Sequence, residues 1–228
     1  MNLRLLQLGD SALPIGSFSH SWGLEAAQAR GDVRNAEDLE RWVRLWLRHS
    51  IAPFEGVIVA AVSRAAEDCV VATATAANEL LHITLTPPTL RHASAEMGDQ
   101  LLRLAAFWDW AVDSVQRLAG DAARSQEAIP WHHAAVFAVL ARAAGASPRE
   151  ALSVYLHQGA VGVLSAGVRA IPIGHTHGQQ ALSRLHDEIE ALADEFVAAP
   201  LESAGAGAPA YEITCHEQSG LYSRLFRS

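Results

Sequence analysis

Between Ser147 and Gly174 the chain reads SPREALSVYLHQGAVGVLSAGVRAIPIG, and after Glu150 no formally charged side chain occurs until Arg169. That leaves roughly five helical turns without a charge, at about 3.6 residues per turn. Ser147 and Glu150 form a Ser-x-x-Glu capping box, with Pro148 at the first helical position, where its missing N–H costs nothing. Pro172 and Gly174 stop the helix. A helix apolar on nearly every side is buried on every side, so the rest of the chain must wrap around this one. Gly159, Gly162, Ser165 and Gly167 lower its helix propensity and must be offset by close approach of neighbouring backbones. The run is almost long enough to span a bilayer. Its polar insertions (Ser153, His157, Gln158 and Ser165) and the lack of an aromatic belt at either end favour a protein core over a membrane.

The flanking sequence is helical in pattern. Leu3–Leu8 is a short apolar segment, followed by the turn formers Gly9 to Ser19 and a helix over His20–Arg30. Asn35 caps the next helix, with Glu37 and Asp38 in its positive first turn and Leu39, Trp42, Val43, Trp46 and Leu47 on one face. Pro53 restarts the chain before an apolar helix from Phe54 to Arg64. Helices are predicted over Val70–Leu85, from Pro88 to Phe107, and after Ile129-Pro130 as far as Gly145. Polarity rises around Trp108–Arg124, with a loop at Gly120-Asp121. HTHGQQ reads as a loop before an amphipathic helix over Gln179–Ala198. No strand alternation occurs. The prediction is an all-α chain, with a globular helical domain over 1–199 around the central helix. Residues 200–228 read as a flexible linker and C-terminal partner-binding tail.

Composition narrows the function. A net charge of −8 argues against nucleic-acid binding, which needs basic surface facing phosphates. All seventeen basic residues are arginine, so lysine-based Schiff-base and P-loop chemistry are excluded. Cys69 and Cys215 form no metal-binding pair motif. The N-terminal apolar run is too short for a secretory signal, and the chain reads as soluble and cytoplasmic.

Few features could carry chemistry. His175 and His177, one residue apart, could share a metal, since imidazole suits nickel, zinc and copper, and a carrier or metal-dependent enzyme built on them is the alternative reading. A stable site needs more ligands, and none is near in sequence. His132 and His133 are adjacent, hence on different helix faces, and read as polar first-turn residues. No GxSxG elbow accompanies the many serines and histidines. Arg169 at the end of the apolar helix either binds terminal carbonyls or anchors an acidic partner group. The tail, HEQSGLYSRLFRS, sets Tyr222, Leu225 and Phe226 between arginines, and is either docked on its own domain or ordered by a partner.

The opening LLQLGDSALPIGSFSHSWGLE, the internal RHASAEMGDQLLRL and VRAIPIGHTHGQQAL, and the ending YSRLFRS together resemble the urease accessory protein UreF family. The resemblance covers nearly the whole chain, departing at His20, Trp22 and His175. It implies an all-α protein without catalytic activity or cofactor, which forms homodimers and binds UreD (also called UreH). Together these recruit the GTPase UreG, and the assembly delivers nickel to apo-urease. By the same resemblance, the turn of Pro14, Gly16, Ser17, Phe18 and Ser19, with Glu25 and Arg169, lies near partner-binding surfaces. The segment holding Tyr222, Arg224, Leu225, Phe226, Arg227 and Ser228 would become ordered against UreD.

Overall fold

A computed structural model describes residues 1–123 and 129–228, and every regular element among them is helical. In order these are α1 (Leu3–Leu8), α2 (Leu24–Arg30), α3 (Ala36–Trp46), α4 (Val57–Arg64), α5 (Val70–Thr84) and α6 (Pro88–Ala105). They are followed by α7 (Val112–Ala122), α8 (His133–Ala143), α9 (Pro148–Ala170), α10 (His175–Phe196) and α11 (Pro209–Gln218). Short 3-10 turns lie at Ser17–Ser19 and Leu201–Ser203.

Helix α9 is the predicted centre. Its capping box is formed: the Ser147 side chain accepts from the Glu150 N–H, and the Glu150 carboxylate accepts from the Ser147 N–H at 2.8 Å. It packs on α10, α4, α3 and α8. A Cβ on Gly167 would lie 2.4 Å from Leu39, and one on Gly159 would lie 3.1 Å from Trp46. The small residues therefore let α3 approach where a larger side chain would hold it off. Two helical stretches, Ala36–Arg64 and Pro148–Ala170, are long and apolar enough to cross a membrane, but most of each is buried within the fold.

Pro53 does not restart the chain. Residues Leu47–Gly56 form a π-helical segment that carries α3 without a break into α4. Proline has no N–H to give to the carbonyl four residues back, and its ring crowds that carbonyl; widening the helix relieves the clash. The carbonyl in question, His49, accepts instead from the Gly207 N–H at 2.9 Å, while Pro53's own carbonyl accepts from Gly205 at 3.0 Å. The glycine- and alanine-rich stretch after Pro200, predicted to be flexible, is thereby pinned to the helical body. Its small residues fit beside the widened helix.

Four other features differ from the sequence reading. Trp22 and Gly23 have φ of +54° and +80°, so residues 20–23 form a turn and α2 begins at Leu24. Helix α7 runs through Gly120-Asp121: Gly120 is exposed, and the half-buried Asp121 carboxylate accepts from the Thr75 hydroxyl at 2.7 Å; Arg124 lies outside the described residues. HTHGQQ opens α10 rather than forming a loop: the Gly174 carbonyl accepts from the His177 N–H at 3.0 Å and from the Gly178 N–H at 3.4 Å, which closes the first turn. His132 and His133 are buried rather than polar first-turn residues on the surface. The His132 N–H donates to Asn78 Oδ1 at 2.7 Å, and its Nε2 lies 3.2 Å from His82 Nδ1.

Candidate functional site

The turn before α2 is built by Gly16, whose φ of +87° only glycine adopts cheaply, and by Ser19, whose Oγ donates to the Gly16 carbonyl at 2.8 Å. It leaves Phe18 67% exposed on the surface. Arg169 reaches the same place from the last turn of α9, where its Nε donates to the Ser165 carbonyl at 3.1 Å. The guanidinium carbon sits 3.6 Å over the Phe18 ring and 4.6 Å over that of Phe226. Burial lowers the Arg169 pKa, but arginine stays charged. A cation between two aromatic faces contributes about 0.5–2 kcal/mol, depending on how far it is desolvated.

Phe226 arrives on the C-terminal segment, which lies across α2 and the preceding turn. The Glu25 carboxylate accepts from the Leu225 N–H at 2.5 Å and from the Phe226 N–H at 3.1 Å. The Arg227 N–H donates to the Ser19 carbonyl at 2.8 Å, and its side chain pairs with Glu96 of α6 at 2.9 Å. The Ser228 carbonyl accepts from the Ser21 N–H, from the Trp22 N–H at 3.2 Å and from Ser21 Oγ at 3.1 Å. The left-handed conformation of Trp22, costly for a bulky residue, occurs where these successive N–H groups converge on one oxygen. Beneath them the Ser228 hydroxyl lies 2.6 Å from His20 Nδ1, and Gln218 Nε2 donates to Ser21 Oγ at 2.9 Å. Burial, reinforced by the charge of Arg227 and partly opposed by Glu96, lowers the His20 pKa to about 4. His20 is therefore neutral at physiological pH.

Of the residues predicted to meet partners, Phe18, Ser19, Glu25, Arg169, Leu225, Phe226, Arg227 and Ser228 come together here. Pro14, Gly16 and Ser17 form the turn beside them. Tyr222 and Arg224 face solvent, and Leu225 is mostly exposed although its backbone is held. Ser21, Glu96, His20 and Gln218 complete the docking and carried no signal as site residues. Glu96 falls within the motif RHASAEMGDQLLRL, where nothing in its spacing marks it as a partner for Arg227.

The two histidines of the alternative reading do not converge. On α10 they stand two positions apart, so their side chains diverge; both are exposed, and His177 Nδ1 accepts from the Gly174 N–H at 3.3 Å. Among the described residues no three histidine, cysteine, aspartate or glutamate side chains gather as a metal site would require.

Comparison with known proteins places the chain in a family. The family model for UreF matches residues 33–186. The urease accessory protein UreF of Cupriavidus metallidurans is 34% identical over 99% of this chain and 97% of its own length. The UreF proteins of Azoarcus sp. and Thermosynechococcus vestitus are 33% and 29% identical, over 99% of this chain and 95% and 97% of theirs. Matched from end to end in this way, the chain belongs to the UreF family of urease accessory proteins.

Proposed function

We propose that this chain is a non-catalytic scaffold of urease maturation in the cytoplasm. It binds UreD/UreH, acts as a homodimer, and with UreD/UreH recruits the GTPase UreG for GTP-dependent nickel insertion into apo-urease. The observation that carries the reading is the sandwich of Arg169 between Phe18 and Phe226. It fastens the C-terminal segment to the N-terminal turn while leaving Phe18, Tyr222 and Leu225 exposed. Aromatic and arginine side chains held on a rigid support are the residue types that dominate binding energy at interfaces. Rigid support also lowers the entropy lost when a partner is engaged.

The reading is tested by mixing the purified chain with UreD/UreH and recording complex formation for the parent and for Tyr222→Ala with Leu225→Ala. Those two side chains make little contact with their own fold, so circular dichroism is expected to stay unchanged while affinity falls at least tenfold, about 1.4 kcal/mol. Unchanged affinity would place the UreD/UreH surface elsewhere.

A further inference from the structure

A cavity of about 100 Å³ runs inward from Ser17, Phe18 and Arg169 to the middle of the fold, between the π-helical segment and α9. Its inner end is polar. Glu55 projects there from the π-helical segment and accepts a short hydrogen bond from the Tyr155 hydroxyl through one carboxylate oxygen, Oε2. Burial pushes its pKa up to about 7. His133, only 7% exposed, lines the same space with a buried Nε2 that has no hydrogen-bond partner, and so does Gln158 with Oε1. Unpartnered polar atoms are costly in a protein interior, and here they belong to residues that line open room. The remaining wall is rich in aromatic rings, from Trp22, Trp46, Phe54, Tyr155 and Tyr211.

The chemistry of this lining selects its ligand. At the inner end an anion would face the Glu55 carboxylate and the Gln158 carbonyl oxygen, both acceptors; the guanidinium of the lining, Arg169, stands at the mouth, engaged with the Phe18 and Phe226 rings. A transition metal would find one carboxylate and one imidazole, Glu55 and His133, and no cluster of three ligating side chains among the described residues. A purely apolar guest would leave Glu55, Gln158 and His133 unsatisfied. One carboxylate among aromatic faces is the arrangement that recognises an organic ammonium group, by ion pairing, hydrogen bonding and cation–π attraction together. A cavity of about 150 Å³ takes benzene, so the room here suits a chain of about four heavy atoms. We propose that this cavity is a binding site for a small primary alkylammonium ion, with the charged head at Glu55 and Gln158 and the alkyl end against the aromatic wall. Gly162 of α9 belongs to the lining, and a Cβ there would meet nothing within 4 Å, so the helix leaves that room open.

The test uses the full chain and propylammonium chloride, with 1-propanol and sodium chloride as controls. Binding is read by saturation-transfer NMR and by fluorescence, to which Trp22 and Trp46 report directly. The expected result is a saturable response to propylammonium alone at pH 8, weakened at least tenfold by Glu55→Gln. That substitution preserves shape and an acceptor for Tyr155; Glu217→Gln, on the surface, is the control that leaves binding unchanged. Within the parent protein, affinity is expected to fall roughly tenfold from pH 8 to pH 6, as Glu55 becomes protonated. His133 is already neutral, its pKa lowered to about 4 by burial, and Tyr155 and Tyr211 are pushed well above their usual range, so neither confounds the profile. Should Glu55→Gln misfold, the pH profile of the parent decides. Equal binding of 1-propanol, an affinity independent of Glu55 and of pH, or no saturable response would each overturn the proposal.

Discussion

Arg169 could be picked out in the sequence because it ends an otherwise uncharged helix, but its role depends on two rings 151 and 57 residues away, Phe18 and Phe226. Residue spacing has no means of reporting such a contact. The same holds for Ser21 and Gln218, which bond across 197 positions, and for the pairing of Glu96 with Arg227. What could be read was the chemical kind of each end: turn formers and an aromatic at one, aromatics and arginines at the other. Removing the cation, Arg169→Ala, is expected to loosen the C-terminal segment by about 1–2 kcal/mol without unfolding the core. Amide exchange at Leu225, Phe226 and Arg227 would then accelerate about tenfold, while amides of α8 and α9 keep their protection. Exchange unchanged at those three positions would mean that the Glu25 and Ser228 hydrogen bonds hold the segment unaided.

At the level of elements, helices announced by periodicity and caps were legible. Asn35 accepts from the Asp38 N–H at 3.0 Å as its capping role requires, and the Ser147–Glu150 box forms. Breakers were misread wherever tertiary structure supplied what the local sequence lacked. Pro53 sits inside a helix because the widened turn and Gly207 absorb its cost, and that exchange also converts a linker-like stretch into a docked one. Glycines likewise divide by context. Gly98 of α6 faces the backbone of the segment before α8, and a Cβ there would lie 2.0 Å from the Trp131 carbonyl oxygen, whereas one on Gly120 of α7 would meet nothing within 4 Å. Gly98→Ala is therefore expected to destabilise the fold by about 2–4 kcal/mol through forced backbone movement. Gly120→Ala is expected to stabilise it by up to about 1 kcal/mol through helix propensity. Urea unfolding of the two variants checks both signs.

Across the whole molecule, the buried titratable groups give the fold a direction of pH sensitivity. His20, His132 and His133 are each held neutral, with pKa values lowered to about 4. Their contribution is complete above the ordinary histidine value near 6.5 and is lost as pH falls from there towards 4, up to about 3 kcal/mol apiece. Glu55 acts in the opposite sense. Its pKa is raised to about 7, so its burial penalises the fold above that pH and the penalty disappears as pH falls towards 4.5. Three groups outweigh one, and stability is expected to fall between pH 6.5 and 4. Glu55→Gln should raise stability at pH 8 by up to about 3 kcal/mol and leave it nearly unchanged at pH 4.5. Denaturant titrations at the two pH values would show it.

The UreF scaffold reading places the protein's function at the surface where its two ends meet. The most direct test is size-exclusion chromatography with light scattering on mixtures of UreD/UreH and nickel- and GTP-loaded UreG with either the full chain or one lacking Tyr222–Ser228. The account predicts a co-eluting complex of all three proteins for the full chain, and for the shortened chain a free protein of normal helical content. A shortened chain that still entered the complex would contradict it.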